Sequence, residues 1–258
     1  MFNTLDVSAD GAIGRLWLNR PDKLNPLSSE TLQELGRAAT WFNEQPEIRA
    51  VIVGGHGRCF SAGADLSTFT GGGEDSLREA ADYGRLMADA IEGMNAITVA
   101  RLQGWCVGGG VVLAAACDLR VAALDCQFSI PEVALGIPLA WGGIPRLVRE
   151  IGPALTKELV ITCRPFSAEE AHQSGFLNRV VEEEELDANV DELVAAVVDK
   201  PRFPVWATKR HVDAVTRQMV GLDRSWNDAD GLVSATLDPE CAAARDAYVA
   251  SRKTKSRS

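Results

Sequence analysis

Ala50-Val51-Ile52-Val53-Gly54-Gly55 is a short apolar run, β-branched at its centre and bounded by glycine. Such a run reads as a buried strand. Upstream, Ser28 and Ser29 are N-cap candidates for a helix whose apolar residues Leu32, Leu35, Ala39 and Phe42 recur at helical spacing. Further upstream, Leu16 and Leu18 share one face of Ala12–Asn19 while Arg15, Trp17 and Asn19 share the other, the alternation of a half-buried strand. Asn19-Arg20-Pro21-Asp22 breaks that strand. Strand, long helix and buried strand together open an α/β layout.

Downstream, Ser67–Ser76 is polar and contains Gly71-Gly72-Gly73, so it reads as a loop. The spacing of Ala80, Tyr83, Leu86, Met87, Ala90 and Ile91 predicts a helix from about Leu77 to Asn95. Thr98–Leu102, Asp118–Ala122 and Gln127–Ile130 read as strands, Gly108-Gly109-Gly110 as a turn, and Val111–Ala116 as the opening of a buried helix. From Gly142 the pattern is largely helical. The acidic run Glu182–Asp187 suits the positive end of a helix dipole, and no strand signal follows Asp199.

Composition narrows the function classes. Of 258 residues, 46% are hydrophobic and 24% charged, enough to bury a full core and unlike a disordered chain. A net charge of −10 repels phosphate backbones, which disfavours nucleic acid as a partner. The basic run Arg252, Lys253, Lys255 and Arg257 reads as a solvated tail, with a phosphate contact as the alternative. The start, Met1–Asp6, lacks the basic-then-apolar pattern of a signal peptide. The longest apolar run, Trp105–Cys117, holds three glycines and falls well short of the ~20 residues of a membrane helix. Six scattered cysteines without a Cys-x-x-Cys pair suggest buried thiols, hence a cytoplasmic setting. Widely spaced His56, His172 and His211 make a histidine metal site improbable, and no nucleotide-binding or His-Glu-x-x-His motif is present. Ser61 with His56 is a conceivable nucleophile pair, but a loop serine is the better reading.

Three stretches carry chemistry. Cys59–Leu66 places small residues after a strand, where a bound molecule can approach the backbone. Gly104–Gly110 opens an apolar helix, whose free N–H groups and dipole stabilise negative charge developing on oxygen. Ile130-Pro131-Glu132 holds a carboxylate beside apolar Val133, Ala134 and Leu135, and desolvation there favours a raised pKa and proton transfer. Two amide donors and one carboxylate suit proton abstraction next to a carbonyl.

With these residues the chain resembles the crotonase superfamily, the enoyl-CoA hydratase/isomerase family. Asn19–Leu27 resembles its N-terminal CoA-side motif, Phe60–Leu66 the first oxyanion-hole motif, and Gly104–Leu119 the second. Phe128–Leu147 resembles the catalytic glutamate segment, and Ala247-Tyr248-Val249 with Arg252-Lys253 the C-terminal end. The resemblance implies a spiral of repeated ββα units over residues 1–198 and a helical trimerisation region over 199–258, assembled as a homotrimer or dimer of trimers. It also implies an acyl-CoA substrate, with coenzyme A as part of the thioester and no permanent cofactor. Carried over by position, the N–H groups of Ala64 and Gly109 bind the thioester oxygen and Glu132 is the acid/base. Lys23, Leu24, Ala62, Asp65 and Leu66 fall where family members contact CoA, and Lys253 joins Lys23 as a cation for its phosphates.

Family hydratases carry two glutamates. Glu132 matches the second, whereas the first falls at Val112, which cannot hold water. Ala140 stands where some members have a further acid or a close-packed glycine. One carboxylate suffices to shuttle a proton between carbons, so isomerisation is expected over hydration. The alternatives are a true hydratase, a decarboxylase or hydrolase of the same type, and an acyl-CoA binding protein without activity. Trp105, Trp141, Phe69, Met87 and Leu135 are candidates for either the acyl pocket or core packing.

Overall fold

The structure, a computed structural model, describes residues 2–65, 74–222 and 228–255, with backbone only at 74–77, 80 and 252–255. Strand β1 (Leu5–Asp10) pairs antiparallel with β2 (Ile13–Leu18), which buries Leu16 and Leu18 on one face as their alternation requires. Helix α1 (Ser29–Asn43) starts at Ser28, whose hydroxyl accepts the N–H of Thr31 at 3.3 Å. β3 (Ala50–Gly55) follows, and its unbroken apolar sequence has a simple cause: both its faces are covered. Val51 and Val53 enter the principal core, while Ala50 and Ile52 face a second apolar layer.

After β3 the chain repeats one move. A strand joins the main sheet, a shorter segment joins a second sheet, and a helix follows. β3 is succeeded by the Ser61–Cys106 bridge and α2 (Glu74–Glu92). β4 (Ile97–Leu102) leads to β5 (Trp105–Val107) and α3 (Gly109–Ala115). β6 (Leu119–Ala123) leads to β7 (Gln127–Ser129) and α4 (Gly143–Thr162), which Gly152 breaks with φ 75° just before Pro153. β8 (Phe166–Ser167), α5 (Ala168–Gln173) and β9 (Arg179–Val181) close the series. The main sheet runs β1-β2-β3-β4-β6-β9, parallel after the first pair, and the second runs β5-β7-β8. This is the α/β spiral expected. α6 (Leu186–Val198) follows the acidic residues Glu183–Glu185 and covers the sheet's other face with Leu186, Val190 and Val194.

Beyond Asp199 the described elements are helices: α7 (Arg202–Met219), α8 (Asp228–Leu237) and α9 (Pro239–Lys255). α8 packs against α2, and α9 against the 3-10 turn Val133–Leu135.

Several expectations shift. α2 starts three residues before Leu77 and ends three before Asn95, and the triplet Gly71–Gly73 and Phe69 lie outside the described residues. β1, β5, β8 and β9 were not expected: β5, β8 and β9 have only two or three residues, whereas β1 is six residues long with Leu5, Val7 and Ala9 alternating with polar ones. All six cysteines are free, with Cys59, Cys106, Cys117 and Cys126 buried. Among the described residues no helix is long and apolar enough to cross a membrane.

Candidate active site

β7 ends at Ser129, and Ile130-Pro131 delivers the chain to Glu132 at the head of the 3-10 turn. The Glu132 carbonyl accepts the N–H groups of Leu135 and Ile137, each at 3.0 Å, which fixes the backbone under the carboxylate. That carboxylate is buried, its Oε1 lies where a Cβ on Gly108 would come within 2.3 Å, and its Oε2 has no hydrogen-bond partner. Burial in this apolar setting lifts its pKa to about 7.

Two other glutamates are buried among the described residues, and both are satisfied. Glu34 accepts from the N–H of Asn3 and from the N–H and hydroxyl of Thr4. Glu92 accepts from Arg146 and Arg149. Burial pushes both upward, but these donors outweigh it and both stay below the usual carboxylate range. Glu132 differs in facing a cavity unpaired.

The amides come from two separate turns. Ala64 forms a parallel bridge with Leu27, in which Leu27 N–H reaches Gly63 O at 2.8 Å and Asp65 N–H reaches Leu27 O at 3.1 Å. The Ala64 N–H therefore points the other way, without a backbone acceptor among the described residues. Gly109 is the first residue of α3, and its N–H also lacks one. Close packing brings the turns together: a Cβ on Gly63, where φ is +90°, would stand 2.7 Å from the Val107 carbonyl and 3.7 Å from the Gly109 nitrogen. Only glycine fits there.

A cavity of about 680 Å³ reaches these groups, lined by Leu24, Ala62, Ala64, Gly108, Glu132 and Tyr248 among others. Beyond it lies a recess of about 30 Å³, with Gly109, Val112, Ala140, Trp141 and Leu232 in its wall. Ala64 and Glu132 belong to both. An acyl group passing from cavity to recess meets two unpaired N–H groups and one unpaired carboxyl.

A family model described as enoyl-CoA hydratase/isomerase matches residues 8–256. The chain belongs to this family. It is 34% identical over 241 residues to a crotonyl-CoA hydratase of Syntrophomonas wolfei, covering 92% of each chain. It is 32% identical over 248 residues to a peroxisomal Δ(3,5)-Δ(2,4)-dienoyl-CoA isomerase of Arabidopsis thaliana, covering 88% of this chain and 89% of that one. Among solved structures it resembles an enoyl-CoA hydratase from Bacillus anthracis, with TM-score 0.80, 30% identity, and 90% and 92% of the two chains covered. An enoyl-CoA hydratase/isomerase from Xanthobacter autotrophicus, 24% identical with TM-score 0.89 and 99% of each chain covered, shares the fold. This hydratase/isomerase-family chain is thus an enzyme acting on acyl-CoA thioesters.

The other expected contact residues of the family enzyme fall unevenly. Leu24 and Ala62 line the cavity. Lys23 is exposed on the 3-10 turn Pro21–Lys23 and is not part of the lining, nor is Asp65, whose carboxylate lies 3.7 Å from Arg20. Leu66 and the Lys253 side chain are outside the described residues. Trp105 and Leu135 line the cavity, whereas Met87 is core. Ser61 is no nucleophile: its buried hydroxyl donates to Asn25 O at 2.8 Å and accepts from Gly63 N–H, while His56 pairs with Asp6.

Sequence reasoning missed three residues. Asn25, buried at φ 51°, donates to the carbonyls of His56 and Cys59 and accepts from Arg20 N–H, tying the CoA-side turn to the amide-bearing loop. Its only signal was membership of the Asn19–Leu27 motif. Arg58 is an exposed cation in the cavity wall with no motif to mark it. Tyr248 reaches the same wall from α9, a contact across more than a hundred residues.

Proposed function

We propose that this enzyme moves a double bond within an enoyl-CoA thioester. The thioester oxygen accepts hydrogen bonds from the Ala64 and Gly109 N–H groups. The Glu132 carboxylate takes a proton from C2 or C4, and the C–H bonding electrons pass into the conjugated enolate. The same carboxyl then returns the proton at the other carbon. Charge collects on the thioester oxygen, so each amide matters: losing one such donor costs roughly 10²–10³ in rate.

The observation that carries isomerisation over hydration is the wall facing Glu132. Val112 and Ala140 are buried there together with Leu139, Trp141 and Leu232. Among the described residues no second carboxylate lines the recess to hold and deprotonate a water, whereas Glu132 near neutrality suits a reversible proton carrier. The similarity to a crotonyl-CoA hydratase supports hydration as the second reading.

In this reading Leu24, Ala62, Asp65 and Leu66 flank the CoA moiety, with Lys23, Lys253 and Arg58 as cations for its phosphates. The helical region 199–258 builds a homotrimer or dimer of trimers, which the exposed apolar face of α7 supports. The free thiols support a reducing, cytoplasmic setting.

Incubation of the purified enzyme with an enoyl-CoA panel in heavy water, followed by mass spectrometry, tests the chemistry. Deuterium should enter at C2 or C4 without ¹⁸O uptake from labelled water. Rapid ¹⁸O incorporation, or release of CO₂ or free CoA as the main event, would replace this reading with hydration, decarboxylation or hydrolysis. Binding without any exchange would leave a non-catalytic acyl-CoA protein.

A further inference from the structure

The wall of the recess beyond Glu132 includes one large side chain in an unusual backbone state. Trp141 has φ 62° and Gly142 φ 67°, consecutive left-handed residues. A tryptophan adopts that region only where its surroundings hold it. Here they do. The Gly142 N–H donates to Asp228 on α8 at 2.7 Å, and the Trp141 and Gly142 carbonyls accept from buried Arg146 at 3.3 and 3.2 Å. Arg146 is itself clamped by Glu92 and Asp89.

Held this way, the indole is buried between two glycine backbones. A Cβ on Gly109 would lie 2.2 Å from its ring, and a Cβ on Gly84 of α2 would lie 2.2 Å from three of its ring atoms. Leu232 of α8 completes the wall. Only about 30 Å³ stays open, and a water-sized group needs roughly 10–15 Å³ of such space.

From this geometry we infer that Trp141 is the specificity-determining residue for the acyl chain, favouring short acyl groups over long ones. The inference rests on the reading of this site as an acyl-CoA site. The indole occupies the path along which a longer chain would continue between α2 and α3. The large cavity is unaffected by it, because Trp141 is not among that cavity's lining residues. Trp141 therefore discriminates by acyl length and not by the CoA moiety.

Calorimetric dissociation constants for free CoA, butyryl-CoA and octanoyl-CoA, all saturated so that none is isomerised, provide the test. The wild-type enzyme should bind butyryl-CoA at least tenfold more tightly than octanoyl-CoA. Trp141→Ala should bring octanoyl-CoA to within about threefold of butyryl-CoA with CoA binding unchanged, since each accommodated methylene is worth about fourfold. Gly84→Ala, which forces the indole off α2, should weaken butyryl-CoA while sparing CoA. Wild-type enzyme holding octanoyl-CoA as tightly as butyryl-CoA would overturn the inference. So would a folded Trp141→Ala with an unchanged ratio, and Trp141→Leu carries the same comparison if the alanine variant unfolds. Loss of binding for CoA and every thioester alike is a separate outcome, which overturns the acyl-CoA reading and this inference with it.

Discussion

Glu34, Glu92 and Glu132 show how little burial alone says about a carboxyl group. Three hydrogen bonds from Asn3 and Thr4, just before β1, hold Glu34 ionised, two arginines hold Glu92, and burial in an apolar setting lets Glu132 rise to about 7. Two consequences follow at this residue. In the proposed reaction Glu132 acts as the base and must be ionised, so kcat/KM should climb as pH rises through about 7 and then level off. Glu132→Gln should lower it by about 10²–10⁴-fold and abolish that titration. Stability runs the other way. The folded state holds the Glu132 proton up to about 7 while the unfolded chain releases it near 4.5, so stability falls with rising pH across that window and is flat above it. Urea unfolding should find Glu132→Gln more stable than the wild type at pH 8, by up to about 3 kcal/mol, with the difference vanishing near pH 4. The acid in Ile130-Pro131-Glu132 and its apolar neighbours are legible in sequence, but the lack of partners for its Oε2 is not, because the groups that could have satisfied it come from remote segments.

Among elements, α1, α2, β3, β4 and the site-bearing stretches were readable, whereas β1 and the short strands β5, β8 and β9 were not. The β3 and α1 patterns span six and 15 residues, enough for a period to show, and Ser28 caps α1 as its type suggests. β5 has three residues and is followed by Gly108, whose φ of +51° turns the chain into α3 and whose missing side chain admits the Glu132 carboxylate. The glycine triplet marks such a turn, but not which glycine meets which partner. Gly108→Ala should combine backbone strain with a clash against Oε1, displacing the carboxyl. Turnover of the acyl-CoA substrate should fall at least tenfold, and stability by about 1–3 kcal/mol. Ser28→Ala is the matching control: it should lose about 1 kcal/mol in thermal unfolding with kcat/KM intact, because the cap lies outside the cavity lining. Equal losses of activity in both variants would mean that Gly108 acts through global stability and not through Glu132.

The whole molecule poses the question of what covers α7. Its helical character beyond Asp199 was legible from amphipathic spacing, whereas the return of α8 and α9 over the site was not, since contacts such as Asp228 with Gly142 link distant segments without leaving a period. α7 is pinned on its inner side: the buried Lys209 ammonium donates to Asp118 at 2.7 Å and to the Ala96 carbonyl at 3.0 Å. Elsewhere around its circumference it exposes Phe203, Trp206, Val212, Val215 and Met219, with Phe203 and Met219 at 72% and 76% exposure. A face this apolar on a chain of net charge −10 is what self-association would bury. Sedimentation equilibrium at micromolar concentration should return a trimer or a multiple of it. Phe203→Asp with Trp206→Glu should shift the protein to monomers while far-ultraviolet circular dichroism is preserved, because neither side chain belongs to the buried core. A wild-type monomer, or a double variant that still assembles, would remove α7 as the interface. The cavity is lined from β5, β7 and α9, with no α7 residue among the lining, so the double variant should retain acyl-CoA binding even where assembly is lost.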